Sequence, residues 1–441
     1  MNGLLPQIRK RLPLGQFGWN VATLAGGTAV GQAIAVLASP LLTRLYDPAD
    51  FGVLAVYTSL LTIALTVASL RYEMAIPLPE EESTGANLLA LSLVIVAVMS
   101  LVIGGGVWLL GDSIVAWTNT AALRPYLWLL PLGVLAAGIY QALNYWALRK
   151  KDFGRIAQTK LNQAIGMVGI QLATGLFKSG PLGLLLGDVF GRFGGSTTLA
   201  ALAWKRDRAA LKGVNPDGIR QAGQRYRKFP LLSSGSGLLN SAGVQLPSLL
   251  FAAFYGPQVA GWYALGLRVM AAPMSLIGQS VAQVYYSEAS RLAQDNPAGL
   301  YRLFWTTAKR LLLVGGIPIV ILGVAGSWLF SLVFGAPWAR AGLYAQILAL
   351  EYLAQFIVVP LAKTPTVLER QDLQLAWDAG RLVLVATSLA VAKVMALADW
   401  GAVAAYGSAM LVAYGVLFFL SSKVLQKRVR ESELAADLDG A

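Results

Sequence analysis

Apolar stretches of about 20 residues recur along the whole chain, and they restrict its possible folds more than any other feature. An α-helix needs about 20 residues to cross the ~30 Å of hydrocarbon in a bilayer. Twelve such stretches lie near residues 18–43, 51–71, 85–110, 124–147, 156–177, 181–204, 230–254, 260–284, 306–333, 341–362, 374–394 and 399–422. We therefore predict an all-α integral membrane protein with about twelve transmembrane helices.

The composition agrees with this fold class and excludes several kinds of chemistry. Hydrophobic residues occupy 56% of the 441 positions and charged residues 13%, about half the charged fraction of a soluble protein. The absence of Cys and His excludes disulfides, thiolate or imidazole catalysis, and any His/Cys metal site. We expect no metal, no cofactor and no catalytic residue, so that any proton carrier is an Asp or a Glu.

The basic residues predict the orientation of the chain. With the N-terminus in the cytoplasm, 26 of the 35 Lys and Arg residues fall in inner segments, four in outer segments and five within spans. The positive-inside rule then places both termini in the cytoplasm of a multi-pass protein of a bacterial inner membrane. The polar, basic start does not have the pattern of a cleavable signal peptide. We assign the net charge of +13 to this topology and not to nucleic-acid binding.

A short motif recurs after about half of the chain. Residues 46–52 and 255–261 both read Y-x-P-x-x-x-G, and each follows the first span of a six-span half. An even number of spans per half predicts a parallel repeat about an axis along the membrane normal. We predict one six-helix bundle over 1–204, a basic cytoplasmic linker with a surface helix over 205–229, a second six-helix bundle over 230–422, and a cytoplasmic tail over 423–441.

Polar and charged residues inside the spans are the candidate functional residues. A charge at the centre of a span costs about 2.5–3.5 kcal/mol, so it should face the interior of a bundle. Our candidates for substrate binding are Arg268, Arg381, Lys160, Arg192, Gln279 and Gln32, and our candidates for ion coupling are Glu351, Asp378 and Asp188. Polar neighbours at helical spacing accompany them, including Thr28, Gln163, Gln171, Ser275, Gln283, Gln355, Gln371 and Gln374.

Structural roles compete with these functional ones. Asp188 with Arg192 and Asp378 with Arg381 have the spacing of ion pairs within one helix, which would neutralise both members. Gln and Ser at helical spacing often only join helices by hydrogen bonds. Lys160 lies near an inner boundary, where its ammonium can extend to the headgroups. Arg268 and Glu351 have no opposite charge within a turn of their own helices, which leaves a cavity role or a buried pair with another helix.

Two stretches of the chain resemble a known family. In residues 35–77 one span ends in Thr43-Arg44-Leu45-Tyr46, followed by Pro48 and Asp50-Phe51-Gly52, and the next span ends in Arg71-Tyr72-Glu73-Met74-Ala75-Ile76. These motifs, and the second-half stretch 261–291, resemble the Wzx-type polysaccharide and O-antigen flippases of the multidrug/oligosaccharidyl-lipid/polysaccharide flippase superfamily. The likeness in span count and repeat runs through the whole chain.

The resemblance implies a fold and a function. The implied fold is two six-helix bundles in a V shape. The implied function, in O-antigen and lipopolysaccharide biosynthesis, is to move an undecaprenyl-pyrophosphate-linked oligosaccharide to the periplasmic leaflet, coupled to H⁺ or Na⁺. Flipping breaks no covalent bond, so we expect no enzyme activity. Because a guanidinium binds phosphate through two hydrogen bonds, we predict that Arg268 contacts the pyrophosphate in a cavity between the halves.

Two other functions remain open. A multidrug cation extruder of the same superfamily should have a cavity lined by carboxylates, whereas the spans here contain four candidate cations beside three carboxylates. A membrane polysaccharide polymerase or ligase should have large outer loops with polar catalytic residues, and no outer connection here exceeds about fifteen residues.

Overall fold

The computed structural model describes residues 16–273 and 277–439, which form helices and turns without any β-strand. The long helices are α1 (Gln16–Leu45), α2 (Pro48–Val67), α3 (Glu82–Thr118), α4 (Leu129–Arg149), α5 (Phe153–Leu176), α6 (Pro181–Arg206), α7 (Pro216–Arg225), α8 (Ser234–Tyr255), α9 (Pro257–Pro273), α10 (Gln279–Asp295), α11 (Pro297–Phe334), α12 (Ala339–Leu361), α13 (Gln371–Val394) and α14 (Asp399–Asp439). Short helical turns lie at Tyr72–Ala75, Ala121–Tyr126, Arg208–Lys212, Phe229–Ser233, Ala336–Trp338 and Thr364–Val367.

Each predicted span coincides with a helix in the described part of the chain. Eleven spans match one helix each, and the eighth is divided between α9 and α10. Within the described residues, eight helical segments are long and apolar enough to cross a membrane. The other four spans, at α4, α5, α6 and α9–α10, do not meet this criterion; α9 and α10 have 17 residues each. The all-α, multi-pass membrane fold predicted from the sequence is confirmed.

The chain divides into two compact units, Met1–Gln245 and Leu246–Ala441. In the first unit α4 packs against α2, α3 and α6, and α6 also packs against α5. In the second unit α12 packs against α9, α11 and α14, and α14 also packs against α13. The two sets of neighbours match when α1 to α6 are paired in order with α8, α9–α10 and α11 to α14. This match agrees with the predicted repeat.

Proline determines where the second helix of each unit begins. Pro48 is the first residue of α2 and Pro257 the first residue of α9. At the first position of a helix the missing N–H of proline costs nothing, and its fixed φ suits the helix. Tyr46 directly follows the end of α1 and Tyr255 is the last residue of α8, so both copies of the motif lie at a helix-to-helix junction.

The predicted helix of the linker is also present. The Asn215 side chain accepts a hydrogen bond from the Gly218 N–H at 2.8 Å and so caps α7. Pro216 follows as the first helical residue, which is the usual order of a capped helix start. The Tyr72 hydroxyl donates to the Gly223 carbonyl at 3.0 Å, which ties α7 to the turn after α2.

Candidate functional site

The first unit contains a cavity of about 300 Å³ between α1, α5 and α6, and charged and amide side chains form part of its lining. Four of the predicted site residues line it: Gln32, Lys160, Asp188 and Arg192. The consecutive helices α5 and α6, together with the distant α1, therefore bring these side chains together. The cavity lies at the level of the predicted spans, where a polar lining needs either a partner or a ligand.

Arg192 and Asp188 form a two-pronged ion pair on α6. Arg192 Nε lies 2.8 Å from Asp188 Oδ2, and Arg192 Nη2 lies 3.0 Å from Oδ1. The Asp188 side chain is 9% exposed and that of Arg192 is 32% exposed. The pair expected from the i, i+4 spacing is therefore present, and the charge of Asp188 is neutralised within its own helix.

Lys160 is the cation of this cavity that lacks a carboxylate. Its ammonium donates to the Thr28 hydroxyl at 3.0 Å. Within the described residues it forms no salt bridge. Because Asp188 is paired with Arg192, the lining has an excess of positive charge, and it favours an anionic ligand over a cationic one.

Close packing of α5 against α6 shapes the wall of the cavity. A Cβ atom on Gly187 would lie 2.3 Å from Gln171 Cγ, and one on Gly191 would lie 2.8 Å from Met167 Cβ. Only glycine allows this approach. The sequence interpretation missed this feature, although glycine at every fourth position, at 183, 187, 191 and 195, is a known signal of close helix packing in membranes.

A second buried carboxylate of the first unit lies outside the spans, in the turn Tyr72–Ala75. Glu73 is 1% exposed, and it accepts hydrogen bonds from the Ser69 hydroxyl and from Gln141 Nε2, the latter at 2.9 Å. Burial raises the pKa of Glu73 above its ordinary value, partly offset by the Ser69 hydrogen bond and the nearby charge of Arg71. The sequence interpretation used Glu73 only as a family marker.

In the second unit, Glu351 on α12 is 3% exposed. Its Oε2 has no hydrogen-bond partner, and no salt bridge joins this carboxylate to any residue in the described part of the chain. A buried carboxylate without partners is costly. The predicted ion-coupling candidate is therefore a buried carboxylate with an oxygen that can still accept a hydrogen bond or bind a cation.

Tyrosines surround this carboxylate. The hydroxyls of Tyr263 and Tyr406 lie 3.3 Å apart, and the first donates to the second. The Phe251 ring packs against both rings, with centroid distances of 4.7 and 5.9 Å. The hydroxyls close enough to Glu351 to interact with its charge are those of Tyr263, Tyr352, Tyr406 and Tyr414. Hydroxyls can donate to a carboxylate or accept from a proton on it.

Asp378 and Arg381 on α13 form the second expected ion pair, with 3.5 Å between Asp378 Oδ1 and Arg381 Nη2. Gln374 Nε2 donates to Asp378 Oδ2 at 3.3 Å. The Arg381 guanidinium also lies 4.8 Å from the centre of the Trp377 ring. Both charges of this pair are thus engaged by neighbours on their own helix.

Two further candidates, Arg268 and Gln279, lie on the second unit's α9 and α10. Arg268 lies near the end of α9 and is half-buried, whereas Gln279 is the exposed first residue of α10. The helical spacing of Arg268, Gln279 and Gln283 would place them on one face of a single helix. Since these residues belong to two helices, the shared face and the contact of Arg268 with the pyrophosphate stay predictions. Ser275 and the side chain of Gln371 lie outside the described residues.

Comparison with known proteins adds a family and a fold. The family model described as "Polysaccharide biosynthesis protein" matches residues 41–343. The teichuronic acid biosynthesis protein TuaB of Bacillus subtilis is 27% identical over 165 residues, which cover 37% of this chain and 34% of that protein. The chain therefore matches about a third of the length of this relative.

Solved structures share the architecture of this chain over nearly its whole length. An inward-facing multidrug resistance MATE family transporter of the MOP superfamily aligns with a TM-score of 0.68 at 13% identity, covering 92% of this chain and 95% of that one. A MATE transporter of Vibrio cholerae aligns with a TM-score of 0.57 at 13% identity, covering 93% and 96%. Identities this low show a common fold and nothing more specific.

Proposed function

Because this chain belongs to the family of polysaccharide biosynthesis proteins, we propose that it is a flippase for a lipid-linked glycan. The cargo is an undecaprenyl-pyrophosphate-linked oligosaccharide repeat unit, carried from the cytoplasmic to the periplasmic leaflet. A pyrophosphate and sugar head group cannot enter hydrocarbon, so its carrier must offer a polar path while the prenyl chain stays in lipid.

The observation that carries this proposal is the excess positive charge of the first unit's cavity. Among the described residues Lys160 forms one hydrogen bond, to the Thr28 hydroxyl, while Arg192 is already balanced by Asp188. An ammonium within a membrane-spanning helix is expensive unless it meets water or an anion. A pyrophosphate supplies that anion, and Gln32 and Gln163 on the same lining offer amides to a sugar.

A multidrug cation extruder is the main alternative, and the cavity argues against it. The carboxylate of this cavity, Asp188, already accepts both prongs of Arg192. A cationic drug would have to displace that guanidinium and then lie beside Lys160. A polymerase or ligase would need side chains that react with the glycan. The residues that line this cavity form no nucleophile–base pair, which favours a flippase, since flipping breaks no covalent bond.

We further propose that Glu351 couples transport to H⁺ or Na⁺. Among the three carboxylate candidates, Asp188 and Asp378 are each paired with an arginine, whereas Glu351 Oε2 has no hydrogen-bond partner in the described part of the chain. A buried carboxylate that takes up and releases a cation changes the local charge by one unit, which is what coupling requires. Liposomes carrying either a proton or a sodium gradient distinguish the two ions.

The proposed setting is a bacterial inner membrane with both termini in the cytoplasm. A reporter fused after Ala441 should be active in the cytoplasm, and one inserted in the connection after α3, near Thr120, should be active in the periplasm. A periplasmic C-terminus would contradict both the orientation and the even number of spans.

Transport by purified protein in liposomes tests the main proposal. We expect the labelled lipid-linked glycan to become accessible on the opposite face. Lys160→Ala should slow this by about tenfold or more, because a charge-assisted hydrogen bond is lost. Lys160→Arg should retain part of the rate. Lys178→Ala is the matched control, since that lysine is exposed and outside the cavity. Movement of drug cations without movement of glycan would establish the extruder instead.

A further inference from the structure

An apolar groove runs between α10 and α11 in the second unit, separate from the residues discussed so far. Its volume is about 360 Å³. Aliphatic side chains form most of its walls, namely Ile277, Val281, Val284, Leu303, Leu311 and Val314. Two charged residues, Glu288 and Arg310, also line it. The groove therefore combines a long apolar surface with one positive and one negative group.

The charges follow a definite order along the groove. The two helices form an antiparallel hairpin whose turn is at Asn296. Glu288 precedes the turn by eight residues, and Arg310 follows it by fourteen. At 1.5 Å per residue, Arg310 lies about 9 Å farther from the turn than Glu288. The apolar residues Val281, Ile277 and Val314 lie farther still. Counted from the turn, the carboxylate therefore comes before the guanidinium, and the lining beyond the guanidinium is mostly aliphatic, whereas Leu303 and Val284 lie at the level of the two charges.

The level of Arg310 in the membrane follows from the length of α11. From Arg310 to the last residue, Phe334, the helix extends for 24 residues, or about 36 Å. This is slightly more than the ~30 Å of bilayer hydrocarbon. With Phe334 at one face, Arg310 lies just beyond the hydrocarbon at the other face, at the depth of the lipid phosphates.

Neither charge is fully used within the protein. Arg310 is exposed and forms no salt bridge or hydrogen bond with any of the described residues. Glu288 is paired with Arg291, but both contacts, each 3.0 Å long, go to Oε2. In the described part of the chain no contact is made to Oε1, so this oxygen can accept a further donor.

We propose that this groove is a binding site for a phospholipid with a phosphoethanolamine head group. Its acyl chain lies along the aliphatic walls, its phosphate meets Arg310, and its ammonium meets Glu288 Oε1. The sequence of acyl chain, phosphate and ammonium in such a lipid, from the bilayer centre outward, is the sequence of groups in the groove. In the orientation predicted by the basic residues, the lipid belongs to the cytoplasmic leaflet.

The head group, and not the chain, makes the site selective. Hydrocarbon tails are as apolar as the groove walls, so burying a tail there gains little over leaving it in lipid. A purely anionic lipid satisfies Arg310 but brings no positive charge to Glu288, so its bond to that carboxylate is the weaker one. A choline head group has the positive charge but no N–H to donate to Glu288. The proposal is independent of the cargo that the protein transports.

Native mass spectrometry of the purified full chain, exchanged into equal amounts of phosphatidylethanolamine, phosphatidylglycerol and phosphatidylcholine, tests the proposal. We expect phosphatidylethanolamine to be retained about tenfold over the other two lipids, as one charge-assisted hydrogen bond provides. Arg310→Gln should abolish this retention, whereas Lys309→Gln, which removes the adjacent exposed cation outside the groove, should not. Glu288→Gln should reduce the preference for phosphatidylethanolamine over phosphatidylcholine.

A variant that fills the groove without changing its charge tests whether the lipid lies in the groove or only near Arg310. Val284→Trp should fill the groove and release the lipid, while Val324→Trp on the exposed face of α11 should leave retention unchanged. Equal retention of the three lipids by the unmodified protein would overturn the proposal. So would preferential retention of phosphatidylglycerol, which would identify a simple anion site, or unchanged retention in both Arg310→Gln and Val284→Trp.

Discussion

The two units treat their buried carboxylates differently. In the first unit Asp188 accepts two hydrogen bonds from Arg192, and Glu73 accepts from Ser69 and Gln141. In the second unit Glu351 is similarly buried, but none of the described residues forms a hydrogen bond with its Oε2. Burying an ionised carboxylate without a counter-charge or hydrogen bonds costs a protein a large amount of free energy. The first unit compensates its buried charges with its own side chains, and the second leaves one uncompensated.

This difference separates structural charges from functional ones. A carboxylate whose two oxygens both accept hydrogen bonds stabilises the fold, and its loss should lower stability. A carboxylate with an oxygen that accepts no hydrogen bond contributes little to stability. Such a group is better explained by a function, such as binding a cation during part of the transport cycle. Variants at the three positions should therefore affect stability in a definite order.

The largest loss of stability is expected at Asp188. Asp188→Ala leaves the Arg192 guanidinium half-buried without its counter-charge, which typically costs about 3–5 kcal/mol. We expect low abundance in the membrane and a reduced midpoint of thermal unfolding in detergent. In the double variant Asp188→Asn/Arg192→Gln both members of the ion pair are neutral, so no buried charge is left unpaired. Most of the lost stability should therefore be recovered. Equal losses in the single and double variants would show that the pair does not act as a unit.

A smaller loss is expected at Glu73. Glu73→Ala removes the acceptor of two hydrogen bonds and leaves Gln141 Nε2 and the Ser69 hydroxyl unpaired, at a cost of about 2–3 kcal/mol. The side-chain amide in Glu73→Gln can still accept one bond, so about half of this loss should appear. Thermal unfolding of both variants in the same detergent provides the measurement. A Glu73→Ala protein as stable as the unmodified chain would mean that the network around Glu73 is not structural.

Glu73 also predicts a pH dependence of stability. Because burial raises its pKa in the folded state, the folded protein binds more protons than the unfolded one above the ordinary glutamate pKa of about 4.3. The contribution of Glu73 to stability is therefore fully present below that pH, and it declines as the pH rises through the folded-state pKa. Unfolding midpoints of the unmodified chain and Glu73→Gln should converge as the pH increases from 4. A difference that grows with pH would reverse the sign of the argument.

The sequence predicts the helices well because their cause is local. Runs of about 20 apolar residues require a helix in hydrocarbon regardless of their neighbours, so the twelve spans match described helices. The Y-x-P-x-x-x-G motif succeeds for the same reason, since proline acts on the one helix that it begins. The Asp188–Arg192 and Asp378–Arg381 pairs were likewise predictable, because both members are on one helix.

The features that the sequence did not reveal depend on contacts between helices. Glu73 lies in a connection, and its burial depends on Gln141 from α4, which no spacing within one helix indicates. The proximity of Lys160 to Thr28 depends on how α1 packs against α5. The surroundings of Glu351 include tyrosines from α9, α12 and α14, which residue spacing on one helix does not indicate. Residue spacing identified these groups as candidates but did not identify their partners.

The smallest effect on stability, and the most informative, is expected at Glu351. Glu351→Gln replaces a buried carboxylate that has an unpartnered oxygen by a neutral amide of the same shape. The oxygen that is replaced has no hydrogen bond to lose, and an amide is far cheaper to bury than a charge, so the unfolding midpoint should not fall. Transport driven by an ion gradient should nevertheless stop, because an amide cannot take up and release a proton or neutralise Na⁺. Asp112→Asn is the matched control, since its carboxylate is 84% exposed beside Arg124; it should alter neither stability nor transport. A Glu351→Gln protein that unfolds as readily as Asp188→Ala would show that this carboxylate is structural after all, and normal gradient-driven transport by a stable Glu351→Gln protein would place the coupling ion elsewhere.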